Sequence, residues 1–368
     1  MTTVCVAANC LYGPDLGGHA WVYLNWALGA RAAGGDVLWL EPVNPATPAE
    51  DVERLLEALR TRLTPFGLGD AIVLCSWSGE RLAPAVEALG CHVDEGAAGV
   101  LIDLVYDLPA QVVARFSRSA LVNIDPGLLE SWMASGAIEV AAHDEYFTIG
   151  ARSPDDSRRW IPARPCVALD QWPVPPAAPG AAFTTVTGWY GNEWIETEVG
   201  APLRNDKRAG YLPFLDLPQQ CSQPVELALD LDDDPEGERA ALTARGWRLA
   251  EARKVAGTPE LFRRYVGSSL GEFGCCKPAY ARWGTGWMSD RTACYLASGK
   301  PVVVQDTGPN PLLDDAGGVF RFATVDEAAA ALEKCAADYD SYCAQARATA
   351  ERHFDAGRVV GAVLEHLV

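Results

Sequence analysis

The chain has 368 residues, 49% of them apolar and 21% charged. That is a globular composition, which excludes wholesale disorder, and at roughly 150 residues per domain it predicts two domains. The 49 acidic side chains against 30 basic ones leave a net charge of −19, so a nucleic-acid or anionic-membrane partner would need a local basic site that overrides the global field.

From the amino terminus, short apolar runs alternate with helical patterns. Residues 3–8 read as a strand, and the loop after them passes through Gly17, Gly18 and His19. A helix over 20–33 follows, with Trp21, Leu24 and Leu28 on one face and Gly34 and Gly35 as its stop. Residues 36–40 form a second strand, and 48–63 a charged helix with Val52, Leu55, Leu56 and Leu59 as its stripe. Further strands are predicted at 70–75, 99–104, 119–124 and 145–149. Apolar strands separated by helices mean a parallel sheet covered on both faces, and right-handed crossovers then favour a doubly wound domain.

Composition changes between residues 162 and 180, where Pro162, Pro165, Pro173, Pro175, Pro176 and Pro179 fall. Such a stretch cannot donate a full ladder of hydrogen bonds and predicts a stiff connector. After it the pattern restarts, with strands at 183–187, 225–229, 272–276 and 301–305 and a helical tail over 324–367, broken around 353–357. The expected fold is α/β: two Rossmann-like, doubly wound domains facing an interdomain cleft, 1–165 and 183–350, joined by the connector 166–182. Ligands bind such sheets at the carboxyl edge, where helix N-termini offer unpaired N–H groups.

The 11 cysteines are scattered, form no C-x-x-C pair and read as reduced, mostly buried thiols. The five histidines supply no H-x-x-x-H or H-E-x-x-H spacing, so no metal or cofactor is expected. Residues 1–4 lack the basic segment of a signal peptide, and no stretch approaches the ~18 continuous apolar residues of a membrane span. The expected compartment is the cytoplasm.

The most informative stretch is 285–308: a glycine-containing loop, a helix opening near Ser289, a stop at Gly299 and a buried strand ending in Asp306, Thr307 and Gly308. Ser289 suits an N-cap, which puts Asp290, Arg291 and Thr292 in the first turn beside N–H groups suited to a diphosphate. A cation there opposes the helix dipole, so Arg291 is explained more easily by a bound anion than by an ordinary capped helix, although spacing alone leaves both open.

Residues 297–308 (Ala-Ser-Gly-Lys-Pro-Val-Val-Val-Gln-Asp-Thr-Gly) resemble the C-terminal domain of GT-B-fold glycosyltransferases. There a loop and short helix, a small-Gly-Lys/Arg-Pro-Val turn and a strand ending in Asp-x-Gly form the nucleotide-sugar site. Gly17, Gly18 and His19 match the Gly-rich turn that such enzymes carry under the acceptor, and the segment around 351–355 looks like their closing helices. The resemblance thereby makes 351–368 a helix that packs back on the first domain.

It implies a donor site of Gly188, Trp189, Asn192, Lys277, Ser289, Asp290, Arg291, Thr292, Asp306, Thr307 and Gly308. Lys277 could instead be a solvated lysine, and Trp189 with Tyr190 a packing plug. On the first domain His19 is the candidate base, since an imidazole with an ordinary pKa near ~6.5 can take the proton of a hydroxyl. Asp125 stands beside it as a second catalytic candidate, and Gly17, Gly18, Asp107 and His143 as acceptor contacts. The two aspartates and His143 could equally cap turns or helices.

The pattern departs from the commoner one at Cys294, where many such enzymes carry a glutamate that grips the donor ribose; a thiol is a poor partner for a diol. The run Asp230 to Asp234 contains the Asp-x-Asp of the other large glycosyltransferase fold, but is read as an acidic turn with Pro235 and Gly237. Of the 12 tryptophans most should be core, with some able to stack on an acceptor.

The resulting expectation is a metal-independent glycosyltransferase. It would take a sugar from a nucleotide diphosphate sugar and transfer it to a hydroxyl-bearing acceptor, most simply a small molecule or metabolite. Two alternatives stand beside it: an enzyme acting on a hydroxylated base in DNA, and a catalytically silent module that binds a sugar nucleotide or props up a partner.

Overall fold

Two parallel sheets carry the fold, and each is hydrogen-bonded in the order that the alternation of apolar runs and helices demands. The computed structural model describes residues 2–13, 16–91, 99–150, 158–191, 193–195, 202–231, 237–311, 313 and 316–368. By contact density the chain divides into two units, Met1–Ala168 with Asp355–Val368, and Leu169–Phe354.

In the first unit the chain runs β1 (Thr3–Ala7), α1 (Gly17–Ala32), β2 (Asp36–Val43), α2 (Ala49–Leu63), β3 (Ile72–Ser76), α3 (Pro84–Glu87), β4 (Val100–Asp103), α4 (Ala110–Val113), β5 (Arg118–Asn123), α5 (Leu128–Ala134), β6 (Glu145–Thr148) and β7 (Trp160–Pro162). The sheet order is β3-β2-β1-β4-β5-β6-β7, all parallel. Strand order reverses between β1 and β4, so the loops after these two strands diverge and leave room above the carboxyl edge. The interior strands are nearly all buried, as strands covered on both faces must be: β4 has no exposed residue, and Leu101 and Ile102 are wholly inside.

The last helix, α14 (Ala356–Leu364), packs along α1. A Cβ on Gly29 of α1 would stand 2.6 Å from the Ala356 carbonyl oxygen, so only glycine allows the two helices to approach this closely. Asp355 pairs with Val167, and the Ala356 N–H donates to the Val167 carbonyl at 3.0 Å.

In the second unit the elements are β8 (Phe183–Gly188), β9 (Trp194–Ile195), β10 (Leu203–Arg204), α6 (Lys207–Tyr211), β11 (Val225–Asp230), α7 (Glu238–Ala244), β12 (Arg248–Glu251), α8 (Ala252–Ala256), α9 (Pro259–Ser268), β13 (Gly271–Gly274), α10 (Pro278–Trp283), α11 (Asp290–Ala297), β14 (Val302–Gln305), β15 (Val319–Phe322), α12 (Val325–Ala337) and α13 (Tyr339–His353). The sheet order β12-β11-β8-β13-β14-β15 reverses between β8 and β13. One core face gathers Phe183, Tyr211, Phe214, Phe273 and Phe322, with Phe273 stacked on Phe322 at 5.3 Å.

Residues 169–182 of the proline-rich stretch belong to this unit and are tied to it. Their carbonyls take Arg263 Nη1 at Gln171 (3.0 Å), Arg347 Nη1 at Trp172 (2.9 Å) and Lys300 Nζ at Pro175 (2.9 Å). Its four prolines lack N–H donors, and the carbonyls of the stretch serve as acceptors for cations.

The expected strands are all present, with ends shifted by one to three residues; 272–276 becomes Gly271–Gly274 because Cys275 turns away into the loop. Five strands were not expected: β7, β12, β15 and the short antiparallel pair β9 and β10. All 11 cysteines are free, most of them buried. Trp21, Trp26, Trp39, Trp172 and Trp189 are core side chains. Among the described residues no helix is long and apolar enough to cross a membrane.

Candidate functional site

In the first unit the residues of interest rise from the two loops that bracket the strand reversal. The loop after β1 leads directly into α1, whose first turn contains Gly17, Gly18 and His19. Among the described residues no acidic side chain opens this helix and none caps it, so its first-turn N–H groups present the positive end of the dipole. Nε2 of the half-buried His19 lies 2.8 Å from the Asn9 carbonyl oxygen, and the ring meets Tyr23 edge-on at 5.1 Å. A carbonyl can only accept, so Nε2 carries the hydrogen and neutral His19 has its lone pair on Nδ1. Burial pushes the imidazole below its ordinary value, while the Asn9 carbonyl and the charge of Asp125 pull it back up.

Asp125, just beyond β5, thus lies within electrostatic reach of His19. Its Oδ2 accepts from the Tyr106 hydroxyl at 3.0 Å, and that same hydroxyl oxygen accepts the Ile124 N–H at 3.0 Å. Tyr106 is held at φ 77°, in the left-handed region that a bulky side chain avoids. Local strain of this kind persists only where the surroundings enforce it, and here two hydrogen bonds fix the ring beside Asp125.

Asp107 is exposed in the loop after β4. His143 is different: its side chain and that of Asp103 are both wholly buried, with Nε2 3.2 Å from Asp103 Oδ2 and Nδ1 2.9 Å from the Ala141 carbonyl. An imidazole enclosed in this way cannot touch an acceptor. The expectation for His143 is therefore corrected, because its chemistry is spent on the interior of the sheet.

Two residues that sequence reasoning missed underlie this site. Glu41, at the end of β2, is fully buried. Its carboxylate accepts the N–H groups of Cys10 (3.0 Å to each oxygen) and Leu11 (3.1 Å) and the indole N–H of Trp39 (2.7 Å). Burial raises its carboxyl to about 7, against the lowering effect of these hydrogen bonds. Tyr106 is the other.

In the second unit the loops after β8 and β13 again bracket the reversal. Gly188 ends β8 exposed, and Asn192 lies outside the described residues. Trp189 is fully buried, packed against Tyr211 at 5.7 Å with its indole N–H 3.3 Å from Glu238 Oε2, so it packs the core and does not wall a ligand. Of the Asp230 to Asp234 run, residues 232–234 also lie outside the described residues.

Ser289 occupies the N-cap position of α11, yet its hydroxyl makes no cap hydrogen bond; only its carbonyl does, accepting the Thr292 N–H at 2.9 Å. Asp290 begins the helix, and Thr292 is buried in its first turn. Ser289, Arg291 and Thr292 line a small cavity with Cys276, Gln305 and Arg321, of about 20 Å³, space for a water-sized group. Arg291 reaches back into the sheet: Nε donates to the buried Glu272 at 2.7 Å and Nη1 to the Val186 carbonyl at 3.1 Å.

Across the same edge, Lys277 pairs with Glu193 at 2.7 Å. Lys207, at the start of α6, was not anticipated at all. Its ammonium lies 3.3 Å from the Cys275 carbonyl and 5.2 Å from the Trp287 ring centroid, and among the described residues it has no carboxylate partner. Burial, with the neighbouring charges of Arg291 and Lys277, lowers Lys207 to about 8. Three cations therefore converge here with fewer counter-charges than they need.

The supporting loops are tightly built. A Cβ on Gly210 of α6 would fall 1.9 Å from the Cys276 carbonyl oxygen, so glycine is what lets α6 bring Lys207 to this edge. Asp306 accepts the Gly308 N–H at 2.8 Å and pairs with Arg321, while the Thr307 hydroxyl donates to the Trp287 carbonyl at 2.6 Å. Gly308, at φ 100°, passes against Gly284 with no room for a side chain. Asp306, Thr307 and Gly308 thus hold the 284–287 loop in place. Cys294 is buried in α11.

No protein-family model matches the chain, and no curated protein matches it in sequence. Solved structures do match in fold. Anabaena HepE in complex with UDP-glucose aligns over 100% of both chains with a TM-score of 0.60 and 12% identity. An α-glucosyltransferase bound to UDP and a 13-mer DNA aligns over 100% of this chain and 99% of that one, with a TM-score of 0.52 and 9% identity. AviGT4, a glycosyltransferase of avilamycin A biosynthesis, aligns over 100% and 97% with a TM-score of 0.51 and 16% identity. The chain has the GT-B fold of these proteins.

Proposed function

We propose that the chain is a glycosyltransferase that moves a sugar from a nucleoside diphosphate sugar to a hydroxyl-bearing acceptor, a small molecule or metabolite. The observation that carries this reading is the convergence of Lys207, Lys277 and Arg291 on the carboxyl edge of the second sheet, where among the described residues Lys207 has no carboxylate of its own. Like charges brought together at a partly desolvated edge call for an anion, and a diphosphate supplies two adjacent negative groups. Ser289 and the N-terminus of α11 add donors and a positive dipole end. The small, partly open cavity is the size of one phosphate oxygen, so the nucleoside and sugar lie over its mouth. The GT-B fold shared with a UDP-glucose complex supports the same ligand class.

In this reading Nδ1 of His19 takes the proton of the acceptor hydroxyl. The acceptor oxygen attacks the anomeric carbon, the bond from that carbon to the diphosphate breaks, and the electron pair leaves on the diphosphate. Lys207, Lys277 and Arg291 neutralise the departing charge, and the proton remains on His19. Direct displacement inverts the anomeric centre; if His19 only orients the acceptor, front-face departure with retention follows. The step invokes no metal or cofactor, and the nucleotide sugar is a co-substrate. Ribose recognition falls to a residue other than Cys294.

An acceptor in DNA is the weaker reading. The α-glucosyltransferase seen with DNA shares the fold, but the net charge of −19 opposes a phosphate backbone unless a local basic site overrides it. The test is to incubate the chain with UDP-, GDP-, dTDP- and CDP-sugars and measure nucleoside diphosphate release. Slow release with one donor, accelerated by an acceptor, is the expected result. Binding of a nucleotide without any release would favour the silent module, and neither binding nor release would end the reading.

A further inference from the structure

We propose that Glu41 is a positioning residue for His19: its carboxylate holds the turn after β1 so that the Asn9 carbonyl fixes the Nε2–H tautomer of His19 and leaves Nδ1 as the base. The role of His19 rests on the function proposed above; the coupling between the two residues does not.

Two independent connections run from Glu41 to His19. One follows the backbone: the carboxylate takes the N–H groups of Cys10 and Leu11, the two residues directly after Asn9, and the Asn9 carbonyl receives His19 Nε2–H at 2.8 Å. The other follows the rings. The Trp39 indole N–H donates to Glu41 at 2.7 Å, Trp39 meets Tyr23 at 6.1 Å, and Tyr23 meets His19 at 5.1 Å. Elements separate in sequence, β2 and the loop into α1, are thereby locked around one imidazole.

An ionised carboxylate is an acceptor only, and here it meets only N–H donors. Protonation introduces an O–H among those donors and removes one acceptor site, so the turn loosens when Glu41 gains a proton. The titratable groups that face it are Tyr23 from α1, Cys10 from the turn and Cys75 from β3, while Asp103 at the end of β4 and Asp125 beyond β5 act on Tyr23 as well, and Asp125 also on His19. Arg115 acts on Cys75. Burial is the main cause of the raised carboxyl, about 7, which puts the loosening within the working range of an enzyme.

The test is nitrogen-15 imidazole NMR on histidine-labelled protein, in which the His19 ring is assigned by its loss in His19→Gln. The expected wild-type spectrum shows the Nε2–H tautomer of His19 at pH 8, with a second inflection near 7 in addition to the ring's own lower titration. Glu41→Gln should abolish the inflection near 7 and mix the two tautomers. A folded Glu41→Gln protein with an unchanged His19 tautomer and titration would overturn the proposal.

If Glu41→Gln does not fold, Trp39→Phe keeps the ring and removes the N–H, so the inflection should move up; an unmoved inflection overturns the proposal equally. No sugar donor enters this experiment, so its outcome is separable from that of the transfer reaction. Where transfer is measured, Glu41→Gln should lower kcat about 100-fold with the donor KM unchanged.

Discussion

His19 donates from Nε2 to the Asn9 carbonyl at 2.8 Å, and this bond decides which of its nitrogens can act as a base. His19→Ala is expected to lower kcat by about 10²- to 10⁴-fold while nucleoside diphosphate binding stays as in the wild type, because the proposed donor groups lie on the other unit. Steady-state kinetics with an independent binding measurement checks it. Because burial pushes the imidazole down, His19 stays neutral to below its ordinary value, and its own acidic limb in the rate profile lies below about 6.5. Unchanged turnover in His19→Ala would remove this residue from the mechanism.

Lys207 predicts a pH-dependent donor affinity. Its pKa is lowered to about 8 by burial and by two neighbouring cations, so it carries its charge below that pH and loses it above. The nucleoside diphosphate that this edge accepts should bind progressively more weakly above pH 8. A bound diphosphate favours the ammonium and raises its pKa again, so binding near pH 8 to 9 takes up protons. Calorimetry in buffers of different ionisation enthalpy reads the uptake directly, and Lys207→Met should abolish it and weaken nucleoside diphosphate binding about 10- to 100-fold. Equal heats in all buffers would show that the ammonium does not meet the phosphates.

Gly210→Ala is a packing prediction. The new Cβ meets the Cys276 carbonyl, so α6 must retreat from the loop it leans on. Overpacking of this sort costs about 1–3 kcal/mol. The loss should appear as a lowered denaturation midpoint accompanied by weakened nucleoside diphosphate binding, since Lys207 sits on the displaced helix. A variant as stable as the wild type would mean that the loop gives way instead.

The buried pair of Asp103 and His143 predicts the opposite partition. Its members lie 3.2 Å apart with no exposed side-chain surface. His143→Ala leaves an uncompensated buried carboxyl and should cost about 3–5 kcal/mol in stability. Acceptor KM, measured on the fraction that stays folded, should not move. A stable variant with a raised KM would return His143 to the acceptor site.

The central strands were legible because their apolar content is what a doubly covered sheet requires, and the 297–308 turn and strand because glycine, proline and a valine run punctuate it so sharply. The strands that escaped notice are those with no such contrast: β12 reads Arg-Leu-Ala-Glu at a sheet edge, and β15 alternates Val-Phe-Arg-Phe. Glu41 was hidden for a related reason. It follows Trp39 and Leu40 in an apolar run, and nothing local says that three N–H donors await its carboxylate. Lys207 lies in Asn205-Asp206-Lys207-Arg208, which reads as a solvated turn until the glycine at 210 brings its helix against Cys276. Trp189 erred in the other direction, since an aromatic after a strand looks the same whether it plugs a core or walls a ligand.

The most direct check of the donor site is the thermal stability of the chain with UDP, GDP, dTDP, CDP and the matching monophosphates, run on the wild type and on Lys207→Met. One nucleoside diphosphate at about 1,000 times its Kd should stabilise the wild type by about 4 kcal/mol, with the monophosphate far weaker and Lys207→Met largely unresponsive. No response to any diphosphate, or an equal response in Lys207→Met, would contradict the assignment of this charged edge as the seat of the leaving group.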